Sequence, residues 1–172
     1  MPGMAKKKAA KKAGKAPENR VKQYWLMKSE PDVFSIEHLA KSPGKTGTWE
    51  GVRNFQARNF MKDMKKGDLA LFYHSSADVI GVAGIVQIAG EAEPDHYALD
   101  PKSIYHDPKA TAEKNPWVLV RVKLVRKFPK VVELALLRQT RGLEKMLVLK
   151  RGMRLSVQPV AESEFKIIEK LA

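Results

Sequence analysis

Between Thr48 and Phe60 the sequence reads TWEGVRNFQARNF, which packs Trp49, Gly51, Arg53, Asn54, Phe55, Arg58 and Phe60 into thirteen residues. These residue types suit binding better than bond cleavage. Trp49 offers a plane on which a base could stack, an interaction worth about 1–3 kcal/mol. Gly51 lets backbone approach a ligand closely, and Val52 beside it shapes the available room. Asn54 is a good N-cap for a helix beginning at Phe55, and the first turn of a helix presents unpaired N–H groups with partial positive charge. Arg53 precedes that turn and Arg58 lies one turn on, so both guanidinium forks are placed for a phosphate or a base oxygen. A plainer alternative stays open: the aromatics are core and both arginines are solvated.

Catalytic signatures are weak. His38, His74, His96 and His106 are scattered, and no two of them form the H-E-x-x-H pair of a zinc protease helix. Neither G-x-S-x-G nor a P-loop is present. The sequence has no cysteine, which removes disulfides, thiolate zinc sites and a thiol nucleophile. No catalytic residue, metal or cofactor is therefore assigned. Ser75 follows His74 directly, but neighbouring strand residues point to opposite faces, so the two make no dyad. An enzymatic alternative would have to use His74 with Asp107.

The elements that must position the Thr48–Phe60 stretch can be read from periodicity. QYWLMKS, from Gln23, predicts a buried strand ending at Lys28 and Ser29. Ser35 caps a short helix over Ile36–Lys41. A second helix over Phe55–Met64 has the apolar stripe Ala57, Phe60, Met61, Met64. LALFYHSS and VIGVAGIVQIA predict a strand hairpin, with Ile80, Val82, Val86 and Ile88 on one face and a bend or bulge at the glycines. A long connection, Gly90–Pro116, precedes the strand WVLVRVKLVRKF, in which Val118, Val120, Val122 and Leu124 face the core. Helical pieces are expected over Val132–Arg138 and Leu143–Leu149, then a short strand RLSV and a helix Ala161–Leu171 burying Phe165 and Ile168. Strands punctuated by glycine and mixed with short helices indicate α+β with a curled or barrel-like sheet.

The 172 residues suffice for one domain, and the formal net charge is +13. Residues 1–22 carry seven lysines and Arg20 against Glu18 alone, about half of that net charge. This Lys/Ala/Gly-rich stretch has too little apolar surface to fold, and it lacks the apolar core of a secretory signal. No run approaches the roughly 20 apolar residues of a membrane helix, so no membrane partner is expected. We read residues 1–22 as a disordered basic tail and 23–172 as the folded domain. A basic tail on a basic body points to a polyanion, most often nucleic acid.

Taken in order, YWLMKSEPDVFSIEHL, WEGVRNFQARNF, KGDLALFYHSS, GVAGIVQI and RLSVQPV with the terminal helix resemble the EVE domain family of the PUA-like superfamily. The resemblance spans about Gln23 to Ala172. It implies a small PUA-like barrel with flanking helices that binds a modified or extruded base in DNA or RNA and is not a catalyst. It places a ligand pocket among Lys28 and Ser29, then Trp49, Gly51, Val52, Arg53 and Asn54, then Tyr73, His74 and Ser75. Tyr105–Lys109 would be a lid, with Tyr105 and Lys109 contributing to it. Trp49 and Tyr73 would stack on the base; Asn54 and Ser29 would read its polar edges, unless Asn54 is only a cap; Arg53, Arg58 and Lys28 would face phosphate or a base oxygen. The basic tail departs from the compact family pattern and would add non-specific affinity. A tail-driven packaging protein remains an alternative. Compartment follows from the source: nucleoid-associated in the cytoplasm of a bacterium, or nuclear in a eukaryote.

Overall fold

The computed structural model describes residues 20–172. Its elements, in order, are β1 (Tyr24–Ser29), α1 (Ile36–Lys41), β2 (Thr46–Trp49), α2 (Phe55–Asp63), β3 (Leu69–His74), β4 (Gly81–Ile88), β5 (Glu93–Pro94), β6 (Val118–Glu133), α3 (Leu134–Gln139), β7 (Val157–Val160) and α4 (Glu162–Leu171). Most of the tail expected over residues 1–22 lies outside the described residues. Arg20, its one arginine, makes a forked pair with Asp68 (2.9 and 3.3 Å).

The strands form one mixed sheet in the order β2-β6-β4-β3-β1-β7, with β5 paired to β6. β1 and β3 are parallel, and the remaining pairs are antiparallel. The α+β class is as expected, but the barrel is not. β2 and β7 are the two ends of the sheet order and do not pair with each other, so the sheet stays open.

Helices cover both faces. Ile36 and Leu39 of α1 and Ala57 and Met61 of α2 pack with Trp25, Met27, Trp49 and Phe72 on one face. Leu137 of α3 and Phe165 and Ile168 of α4 pack with Leu26, Leu71, Tyr73 and Val82 on the other. A strand covered on both sides should be apolar throughout. β4 fits this, since all of its residues except Gln87 are buried.

The sequence assigned Ile80, Val82, Val86 and Ile88 to one face of β4. Its register shifts between Val82 and Gly84 and again between Ile85 and Val86. The first irregularity, which also leaves Ala83 unpaired against β3, breaks the two-residue alternation, so Val82 sits in one core and Val86 and Ile88 in the other. Ile80 precedes the strand and is exposed. Gly84 is required here because a Cβ would clash with the Arg126 carbonyl oxygen of the neighbouring strand. Two further expectations move along the chain: β6 continues through Val132 to Glu133, and the strand read at RLSV lies at Val157–Val160.

Candidate functional site

The parallel β1–β3 pair and edge strand β2 bring two strand ends to one side of the sheet. A cavity of about 500 Å³ opens there, within the ~300–1,000 Å³ typical of ligand sites. One wall comes from the end of β1, with Lys28 and Ser29, and from Phe34 after it. Ser29 Oγ donates to the Phe34 carbonyl (2.6 Å), which folds the intervening turn back against the strand. Thr48 and Trp49 at the end of β2, with Glu50–Arg53, form the second wall. Glu30, which is exposed, Val33, Ile104, Tyr105 and Ser156 complete the rim.

Seven of the residues expected at the site line this cavity: Lys28, Ser29, Trp49, Gly51, Val52, Arg53 and Tyr105. Trp49 and Arg53 make protein contacts that the sequence did not foretell. Trp49 is only 5% exposed and meets Phe34 and Phe72 edge-on, with centroids 5.9 and 5.1 Å away. It is part of the core as well as the cavity floor, because the last residue of β2 turns inward against the sheet. Arg53 is not an unengaged anion fork. Its Nε and an Nη donate to the Tyr105 carbonyl (3.1 and 2.7 Å), and its other Nη donates to the Val52 carbonyl and to Asp95 (3.0 and 2.9 Å). Asp95 is fully buried and also accepts from the Gly51 N–H (3.0 Å) and the Tyr97 N–H (3.0 Å).

This clasp pins the long connection to the WEGVR segment. Tyr105 then lies over Gly51: a Cβ at residue 51 would sit 2.5 Å from the tyrosine ring, and the backbone has φ +80°. Only glycine meets both conditions without strain.

The other expected residues lie elsewhere. Tyr73 is buried in the second core, with the Lys28 ammonium 5.9 Å from its ring centre, and cannot stack on a ligand. His74 Nε2 accepts from the Ile36 N–H (3.1 Å) at the start of α1. Burial pushes its imidazole below the ordinary value, which suits this neutral acceptor. The Ser75 N–H donates to the Ser29 carbonyl (2.9 Å), bracing the wall from behind. Asn54 caps α2 by accepting from the Ala57 N–H (3.0 Å). Arg58 lies over Phe55 and donates to the Pro116 carbonyl and to Asn59. Lys109 is exposed, in a turn closed by Asp107. Asp107 also accepts from the Trp117 indole (2.7 Å), so His74 and Asp107 are committed to separate partners.

Sequence reasoning missed Glu50, Phe34, Asp95 and Ser156. Glu50 stood inside the opening stretch and was passed over for its aromatic and basic neighbours. Its carboxylate accepts from Thr48 Oγ1 (2.6 Å), and burial raises its carboxyl above the ordinary range. Burial likewise lowers the Lys28 ammonium. The cavity therefore holds one desolvated acceptor and one desolvated donor beside aromatic walls. Among the described residues no cluster of three His, Asp or Glu side chains could hold a metal, and no helix is long and apolar enough to cross a membrane.

Fold and cavity together define a small α+β domain with a cavity that opens where strand ends meet a pinned loop. The chain belongs to the EVE domain family, whose model matches residues 23–171. Human thymocyte nuclear protein 1 is 39% identical over 161 residues, covering 84% of this chain and 72% of that protein. A solved Pseudomonas putida protein aligns with a TM-score of 0.83 at 51% identity, covering 86% of this chain and 98% of that one. The human THYN1 protein, solved in complex with DNA containing 5-methylcytosine, aligns with a TM-score of 0.81 at 38% identity over 87% of this chain and 96% of that one.

Proposed function

We propose that this chain is a non-enzymatic nucleic-acid-binding module that takes an extruded, modified base of DNA into the Lys28–Trp49–Tyr105 cavity. The observation that carries the reading is the cavity itself: planar aromatic walls, one half-buried donor and one half-buried acceptor. Its relative in complex with 5-methylcytosine-containing DNA makes a methylated cytosine the first candidate. Tyr105, partly exposed above Gly51, is the stacking surface in place of Tyr73, while Trp49 forms the floor. Lys28 donates to a base oxygen. Arg53 positions Tyr105 through its carbonyl. The basic residues before Arg20 add phosphate attraction that does not depend on sequence. Extruding a base costs a few kcal/mol, an amount that stacking and backbone electrostatics can offset.

Binding to matched duplexes differing only by 5-methylcytosine or cytosine at one position, at fixed salt, tests this. The expected preference is about tenfold, or about 1.4 kcal/mol, and it collapses in Tyr105→Ala. A chain beginning at Arg20 keeps the preference but binds every duplex more weakly, with a shallower salt dependence. Equal affinity for both duplexes would overturn the reading.

A further inference from the structure

We infer that Glu50 is the specificity-determining residue of the cavity: its carboxylate accepts a hydrogen bond from the exocyclic amine of the bound base, and so separates 5-methylcytosine from thymine. This rests on the base-binding reading above and adds the chemistry of selection to it.

Thymine and 5-methylcytosine share a ring methyl and nearly the same outline. They differ at C4, where cytosine carries an amine donor and thymine a keto acceptor. Aromatic walls and space for a methyl group cannot tell them apart. A fixed acceptor facing that position can, and a carboxylate is the side chain that accepts from a cytosine amine. Glu50 lines the cavity at the end of β2. Thr48 Oγ1 holds Oε2 at 2.6 Å, which orients the carboxylate. Among the described residues Oε1 has no hydrogen-bond partner on another residue. No arginine or lysine pairs with Glu50 among those residues either; Arg53, three positions on, is spent on Asp95, Val52 and Tyr105.

A carboxylate partly removed from water, with one hydroxyl donor besides its own backbone N–H, gains from a further bound N–H. The same group against a keto oxygen gains nothing and repels it. Lys28 supplies the complementary donor: its ammonium spends one N–H on the Met153 carbonyl (3.2 Å) and has two left for a ring carbonyl. Uracil and thymine are disfavoured for the same reason.

Single-stranded oligonucleotides identical except for 5-methylcytosine, cytosine or thymine at one position provide the test, because single strands remove differences in pairing. The full chain should bind the 5-methylcytosine strand about tenfold more tightly than the thymine strand, the lower end of what one specific base contact gives. Glu50→Gln offers an amide donor as well as an acceptor, so it should bring the two within about twofold. The preference for 5-methylcytosine over cytosine should survive, since both carry the amine. Glu50→Ala should also lose the discrimination, with thermal unfolding confirming that both variants are folded. A folded Glu50→Gln that keeps tenfold discrimination overturns the assignment. So does a wild-type chain that prefers 5-methylcytosine to cytosine yet binds thymine equally well. A wild-type chain with no preference for 5-methylcytosine over cytosine in either strands or duplexes removes the base-reading function, and this assignment with it.

Discussion

Two buried aspartates hold this molecule together at different places. Asp68 is 1% exposed and Asp95 is fully buried. Asp68 accepts from both Nη atoms of Arg20, the Trp25 indole (3.2 Å), the Lys65 N–H (3.0 Å) and the Gln23 N–H (3.1 Å). Asp95 accepts from Arg53, the Gly51 N–H and the Tyr97 N–H. The device is the same in both: a desolvated carboxylate saturated by one arginine and several N–H donors, which is the condition for tolerating a buried charge. What each one ties differs. Asp68 fastens the start of β1 to the turn before β3, away from the cavity. Asp95 fastens the long connection to the glycine that Tyr105 covers. A buried ion pair therefore becomes part of a binding site only through what its donors belong to.

The sharpest way to break this comparison is to neutralise each carboxylate. Asp68→Asn turns one oxygen into a donor facing other donors and strands Arg20. It should cost about 3–4 kcal/mol, inside the ~3–5 kcal/mol of a broken buried pair, read from urea denaturation. Its preference for 5-methylcytosine over cytosine, measured on the folded fraction, should be unchanged. Asp95→Asn should cost less, about 3 kcal/mol, the lower end of that range, because fewer donors converge on it. Its binding phenotype should be the larger one. With Gly51 and Arg53 released, Tyr105 loses its seat and the preference should fall to near unity. Hydrogen exchange should quicken between Asp95 and Trp117 in this variant and around Tyr24–Trp25 in the other. Equal losses of base preference in both would show that the cavity responds to global stability and not to its own clasp.

That distinction was not legible in the sequence. The strands and helices were, because burial on one or two faces leaves a period of two or of 3.6, and because Ser35 and Asn54 are residues that cap helices. α1 and the start of α2 appear where the caps placed them. Asp95 left no such trace, since its partners at Gly51 and Arg53 are distant in the chain and meet it only through tertiary structure. The alternation that served β1 and β6 misled at β4, where bulges change its phase. The lining of the cavity was half visible. The WEGVR stretch proved to line the cavity, but residue type alone could not show that Trp49 faces inward, or that the Tyr73–Ser75 strand end braces the wall from behind.

The smallest of these effects is a pH dependence with opposite signs at two carboxylates. Burial alone would raise Asp68; hydrogen bonds from Arg20 and from the Lys65, Gln23 and Trp25 N–H groups outweigh it and hold the carboxyl below its ordinary range. The unfolded chain therefore takes up a proton first as the medium is acidified. Asp68's contribution is present above the ordinary aspartate value, about 3.9, and is lost as pH falls through the lower folded value. Glu50 runs the other way. Burial raises its carboxyl, so the empty cavity is destabilised while the group is charged and relieved once it is protonated. Urea midpoints followed from pH 7 to pH 3 should show Asp68→Asn with a flattened acid limb. Glu50→Gln should be slightly more stable than wild type near pH 7, with the gap closing as pH falls through the raised folded value and gone at the ordinary glutamate value, about 4.3. Saturating the protein with a 5-methylcytosine strand should shrink that advantage at neutral pH, because a bound amine relieves the same carboxylate that the glutamine replaces. An advantage that the bound strand leaves untouched would place the Glu50 carboxylate outside the contact.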